Sequence, residues 1–248
     1  MKLQQMLSYL RKAVDDYNMI EDGDKIAVGI SGGKDSLALL YALCSLKRFY
    51  PAKFELYAVT VDLGFGNLDL TAVSDLCDKL NVPYKVIKTD IAQIVFEERK
   101  ESNPCSLCAK MRKGALNYAI KDMGCNKVAY AHHKDDVVDT MMMSLIYEGR
   151  FHTFNPVTYL SRMDVTIIRP MIYINEADII GFIRRYDINI VKSPCPADKK
   201  TKREYVKNLL RDINVDAPGV KQRMFTAIKQ SDLGGWNTKE AYNPDLYD

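Results

Sequence analysis

KIAVGISGGKDSLALLYALCSLK, residues 25–47, decides the fold. KIAVGI (25–30) is a short apolar run of strand length, and Leu37–Lys47 is a helical run. SGGKDS (31–36) joins them. A strand, a glycine turn and a helix form an anion site by construction. Gly32 and Gly33 permit a tight turn and close backbone approach. The N–H groups and the positive dipole end of the helix then point at the ligand. Lys34 adds a full charge, Ser31 and Ser36 add hydroxyl donors, and Asp35 among phosphate binders points to Mg²⁺. A Walker A loop is excluded, because it needs glycine directly before the lysine and Ser/Thr directly after it. The bland alternative, a glycine turn with a serine cap, leaves the flanking strand and helix unexplained.

The same alternation continues along the chain. Residues 2–18 have helical apolar spacing. FELYAVTVD (54–62), PYKVIK (83–88), KVAYA (127–131) and DVTIIRP (164–170) read as strands two to five. Helical runs are expected near 68–80, 106–123, 132–149, 175–186 and 200–212, and a polar stretch precedes Pro104. The expected architecture is α/β: a doubly wound, mainly parallel five-stranded sheet with an N-terminal helix. One domain is expected over 1–248. It divides into an N-terminal helix (1–24), a nucleotide-binding core (25–190), a third-cysteine turn with a basic helical segment (191–229) and a loose tail (230–248). In such a sheet ligands sit beyond the carboxyl ends of the strands. SGGKDS, Asp62, Cys105 and Cys108, and His132–Asp136 all follow strands and should gather at that edge. Cys195 lies in a later crossover.

The 248 residues carry a formal charge of +3 and are 47% hydrophobic, which excludes a disordered composition. The longest apolar runs are too short to span a bilayer, and Asp15 and Asp16 in the first segment argue against a secretory signal. A cytoplasmic location without membrane contact is expected. The six cysteines, Cys44, Cys77, Cys105, Cys108, Cys125 and Cys195, are then unlike a disulfide framework. CSLC (105–108) at a helix start favours thiolate and suits a redox pair, half a zinc site or part of an iron–sulfur site. Cys195, between two prolines, stands in a rigid turn, whereas Cys44, Cys77 and Cys125 read as packing residues.

SGGKDS resembles the signature of the PP-loop ATP pyrophosphatases, and AHHKDD (131–136) resembles the GHHxDD motif of their tRNA-modifying branch. With NPCSLCAKMRKGAL, YEGRFHTFNP, IIRPM and VKSPCPADKKTKREYVKNLLRD, the order and spacing over residues 8–212 are similar to the tRNA 2-thiocytidine synthetase (TtcA) family. The resemblance implies ATP on Ser31, Gly32, Gly33, Lys34, Asp35, Ser36, Asp62, His132, His133 and Asp135. Lys34, Asp35 and Asp136 would serve catalysis and Mg²⁺. It implies a [4Fe-4S] cluster on Cys105, Cys108 and Cys195, with one iron left open to carry sulfur. Zinc, with Cys125 or His152 as fourth ligand, is the alternative. The implied reaction adenylates the C2 oxygen of an anticodon-loop cytidine and replaces it with sulfur. The implied partners are tRNA, a cysteine desulfurase and a second copy of the chain. RNA contacts are expected at Arg150, Arg169, Lys199, Lys200, Lys202 and Arg203, although such a basic run is also what a solvated helix face looks like. Two rival functions are a tRNA(Ile)-lysidine synthetase-like ligase, which needs no cysteines, and a non-catalytic ATP- and metal-binding sensor.

Overall fold

The computed structural model describes residues 1–66, 68–99, 104–192, 194–195 and 202–236. Its centre is β1 (Lys25–Gly29), whose Ile26, Ala27 and Val28 are wholly buried. Burial on both faces is what a parallel strand flanked by helices requires, and it explains the unbroken apolar run. Around it stand β2 (Glu55–Asp62), β3 (Tyr84–Lys88), β4 (Lys127–Ala129), β5 (Val157–Leu160) and β6 (Val165–Ile168). The order is β3-β2-β1-β4-β6-β5. All pairs are parallel except β5 with β6.

The doubly wound, mainly parallel sheet is therefore as expected, but it has six strands rather than five. β5 escapes a sequence reading because it is short, lies at an edge and is half-buried throughout, so no alternation marks it. It forms a hairpin with β6 whose turn places Asp164 at φ 53°.

The helices are α1 (Leu3–Asp16), α2 (Lys34–Lys47), α3 (Thr71–Leu80), α4 (Pro104–Asp122), α5 (Lys134–Glu148), α6 (Glu176–Arg185), α7 (Lys202–Asp216) and α8 (Val220–Gln230). One π-helical turn, Gln93–Glu98, replaces part of the polar stretch expected before α4. α1 buries Met6, Leu10, Ala13 and Val14, one stripe at helical spacing, in the larger core on its face of the sheet. α4 supplies Leu116 and Ile120 to the smaller core on the other face. The loose tail expected from residue 230 is corrected at its start. Trp236 is fully buried against Tyr17 and Phe225, with ring centroids 6.4 and 5.7 Å away. Residues 237–248 lie outside the described residues. Among the described residues no helix is long and apolar enough to cross a membrane.

Candidate functional site

The chain runs outward from β1 through β2 to β3, and in the other direction from β4 to β6, so the sheet reverses between β1 and β4. A crevice opens beyond the carboxyl ends of strands at such a reversal. The loop after β1 and the segment after β4 flank it. Gly32 adopts φ +79°, and a Cβ there would stand 2.8 Å from the Val191 Cβ. Both the conformation and the close approach demand glycine. The Val191 N–H donates to the Gly32 carbonyl at 2.9 Å, fixing the late crossover onto the loop. The Ser36 hydroxyl donates to the Gly33 carbonyl at 3.0 Å and accepts from the Ser31 N–H at 3.2 Å. Lys34 and Asp35 are the first residues of α2, whose opening N–H groups have no intrahelical partner.

Opposite charges interlock around this loop. Lys34 Nζ lies 2.9 Å from both Asp35 and Glu176, and Glu176 also pairs with Lys207 at 3.2 Å. Asp135 pairs with Lys221 at 3.1 Å and accepts from the Glu176 N–H at 2.7 Å. Asp136 accepts from the His133 N–H at 3.1 Å and pairs with Arg203 at 3.0 Å. The buried His133 ring centres the acids: its Nε2 is 3.4 Å from Asp136 and 3.8 Å from Asp35, and its Nδ1 is 3.8 Å from Asp135. Burial opposes the charge of Glu176, yet the hydrogen bond and charge of Lys34, with Lys207, bring it down to about 2. Burial likewise opposes the charge of Lys34, but Asp35 and Glu176 hold it above the ordinary lysine range. Burial would raise Asp136, and the neighbouring His133, with Arg203, outweighs it and lowers it.

Asp139, one helical turn beyond Asp136, was not singled out in the sequence. It is fully buried, and neither carboxylate oxygen has a hydrogen-bond partner. Burial pushes it up to about 6, which Lys221, Lys207 and Arg203 only partly offset. The available signal was a lone acid inside the apolar stretch VVDTMMM (137–143). An orphaned buried carboxylate beside Asp135 and Asp136 is the donor chemistry that a hard divalent cation takes up.

His132 lies deeper. Burial first, and the charge of Arg169 second, pull it down to about 4, so it is neutral at physiological pH. Its Nδ1 accepts from Arg169 Nε at 3.3 Å, and its ring packs on Phe154 at 4.7 Å. Arg169 is 7% exposed and also donates to the Asn155 carbonyl and the Thr158 hydroxyl. Burial lowers it to about 10, which leaves it charged. Arg169, expected to meet RNA, is buried in the structure and held against His132.

Cys105 and Cys108 occupy the first turn of α4. Burial raises the Cys108 thiol, Arg112 pulls it down, and nearby Cys195 and Cys105 raise it further. The three sulfurs expected to act together are therefore neighbours. Among the described residues, no three His, Cys, Asp or Glu side chains converge tightly enough to hold a single metal ion. Cys44 is pushed up to about 12, and Cys77 and Cys125 to about 11, chiefly by burial, which keeps them as thiols. Cys125 lies beside Lys25 and Glu55 at the amino edge of the sheet, which removes it as a fourth zinc ligand. His152 is exposed.

The remaining expected residues scatter. Asp62 ends β2, the strand beside β1, as expected, and its carboxylate accepts from the Gly64 N–H at 3.0 Å. Arg150 is exposed and paired to Glu148 at 2.7 Å. Lys202 sits over the Tyr147 ring, and Arg203 is taken up by Asp136. Lys199 and Lys200 lie outside the described residues.

Residues 3–213 match the model of the PP-loop domain. The chain is similar to the tRNA-cytidine(32) 2-sulfurtransferase of Pelobacter propionicus, 35% identical over 88% of this chain and 82% of that one. It is 36% identical to the protein of that name from Aliivibrio fischeri, over 91% of this chain and 75% of that one. Among solved structures it is similar to the U34-tRNA thiolase NcsA from Methanococcus maripaludis with its [4Fe-4S] cluster. That match has a TM-score of 0.73 and 26% identity, covering 89% of this chain and 76% of that one.

Proposed function

The chain belongs to the PP-loop domain family, among the tRNA-cytidine(32) 2-sulfurtransferases, and from that premise we propose that it thiolates a cytidine of the tRNA anticodon loop at the expense of ATP. The observation that carries this reading is the bond from Val191 to Gly32. It ties the segment bearing Cys195 to the phosphate loop, and four residues of chain span at most about 14 Å. That tether supports nucleotide and thiol chemistry acting side by side.

In the reaction, the cytidine C2 oxygen attacks the α-phosphorus of ATP, and the bond to the bridging oxygen breaks to release pyrophosphate. Sulfur at the sulfide level then bonds to C2, and the oxygen leaves with AMP; a cysteine desulfurase would hand that sulfur over as a persulfide, which a thiol reductant brings down to sulfide by two electrons before the transfer. Lys34 and the first N–H groups of α2 stabilise the charge that develops on the phosphates. Asp136 and Asp139 would share Mg²⁺ with the ATP phosphates and water, the ion taking the place of Arg203 on Asp136. Neutral His132, braced by Arg169 and Phe154, would form an inner wall of the crevice and takes no proton at neutral pH.

Cys105, Cys108 and Cys195 would hold the cluster, which when bound supplies the site of sulfur delivery. A single zinc draws four ligands onto one centre at about 2.3 Å, whereas cluster ligands bind separate irons. Cys105 and Cys195 lie near enough to Cys108 to raise its thiol, and the similar NcsA structure carries a [4Fe-4S] cluster, which together support a cluster over zinc.

The test is Lys34→Ala, assayed for tRNA-dependent pyrophosphate release from ATP and for thiolated cytidine in digested tRNA. Both should fall at least about 10²-fold, the loss usual for one transition-state donor. Iron bound after anaerobic reconstitution should stay the same, because the thiols are separate. Undiminished pyrophosphate release would overturn the role of the loop. Wild-type enzyme that releases pyrophosphate but never thiolates cytidine would overturn the substrate.

A further inference from the structure

Large aromatic rings stand open on the surface beside the crevice. Phe151 is 75% exposed, Tyr205 58% and Tyr147 41%. Tyr147 ends α5, Phe151 follows in the next loop, and Tyr205 is on α7, which packs across α5. Cations are set among them. Lys202 Nζ lies 4.5 Å from the centre of the Tyr147 ring, and Lys202 and Tyr205, three residues apart, share one face of α7. Arg150, exposed, stands directly before Phe151. The rings also lead somewhere. Three residues beyond Phe151, at most about 10 Å of chain, the Phe154 ring packs on His132 at 4.7 Å and lies 4.9 Å from the Arg169 guanidinium.

We propose that Tyr147, Phe151 and Tyr205 form a stacking platform for unpaired RNA bases, with Lys202 and Arg150 on the adjoining phosphates. The platform guides a loop nucleotide towards His132. This rests on the tRNA-thiolation reading and adds the surface that holds the RNA loop. Every base has a π-face, so exposed rings interleaved with cations bind single strands, whereas a duplex keeps its faces stacked inside. A face built to dock protein would be depleted in lysine at its centre, and here Lys202 Nζ lies 4.5 Å from the centre of the Tyr147 ring, which is still 41% exposed. None of the three rings belongs to either hydrophobic core, so their loss should spare it.

The probe is an RNA hairpin with an unpaired, cytidine-containing loop, compared with a fully paired duplex of the same stem. Affinity is read by fluorescence anisotropy for Phe151→Ala, Tyr147→Ala and Tyr205→Ala, with oligomeric state read by light scattering. Each stacked base lost should weaken hairpin binding about 5- to 100-fold, while duplex binding changes little. Phe151→Tyr should restore affinity. The salt slope of binding should stay unchanged, because no phosphate contact is removed. Hairpin affinity equal to wild type in all three alanine variants overturns the platform and leaves the thiolation reading standing. Wild-type protein that binds neither RNA overturns both. Variants that lose self-association while keeping hairpin affinity make this face a contact between copies of the chain, and that outcome also overturns the platform.

Discussion

Replacing Asp139 with asparagine removes one buried charge and almost no volume. The carboxyl titrates at about 6 in the folded chain against 3.8 as a model value, so the native state holds this proton more tightly than the unfolded chain does. Between those two values the native state binds more protons, and stability falls as pH rises through the interval. Two units at 1.36 kcal/mol each make the ionised form about 3 kcal/mol costlier when folded. Asp139→Asn should therefore be more stable than wild type by about 2–3 kcal/mol near pH 8. The gain should shrink towards zero near pH 4, where the wild-type group is itself neutral. In a domain of this size each kcal/mol moves Tm by about 2–4 °C, so calorimetry across that pH range resolves the effect. On the proposed reading, a bound cation relieves this penalty. Mg²⁺ with a non-hydrolysable ATP analogue should raise the Tm of wild type and barely that of Asp139→Asn, and the variant should lose pyrophosphate release. Wild type and variant with the same stability at both ends of the pH range would refute the buried-charge reasoning. A variant that keeps full turnover would refute the metal role.

Single Ser substitutions at Cys105, Cys108 or Cys195 should lose iron on anaerobic reconstitution and lose thiolated cytidine. Substitutions at Cys44, Cys77 or Cys125, which burial holds as thiols, should keep both, as iron counting and nucleoside digests will show. Trp236→Ala should cost about 3–5 kcal/mol in urea unfolding, because the ring is fully buried between Tyr17 and Phe225; a loss under about 1 kcal/mol would mean that the docked ring contributes little. The same residue is the chain's one tryptophan, so its emission should be blue-shifted in the native state and move red on unfolding.

Strand β1 was legible because a parallel strand buried on both faces has to be a run of apolar residues, and KIAVGI has no other use for them. Gly32 was legible because left-handed backbone leaves a compositional trace. β5 left none. An edge strand half-buried at all four positions carries neither a run nor an alternation. Trp236 misled for a related reason. It is held by Tyr17 and Phe225, far apart in the chain, and the polar residues around it, QSDLGGWN (230–237), show no period.

The site divides along the same line. SGGKDS, HHKDD and CSLC stood out because each is a local string whose spacing suits a chemistry, whereas Cys195 joins CSLC only through the family resemblance. What those strings meet was not readable. The partner of Lys34 is Glu176, that of Asp136 is Arg203 and that of Asp135 is Lys221, each brought in by a different helix. The basic residues of α7 were expected on a surface facing RNA. In the fold, Arg203 and Lys207 turn inward and neutralise the acids of the crevice. Burying carboxylates without counter-charge would be costly, so a site that is to hold a cation and phosphates needs substitutes for them while empty. Cations on α7 and α8 supply that substitution. Mg²⁺ arriving with ATP would release these side chains from the carboxylates beside the phosphates they can then contact. The run in α7 that looked like a surface patch thus has two faces. Arg203 and Lys207 face the acids of the crevice, and Lys202 with Tyr205 faces outward, where the proposed RNA platform would lie.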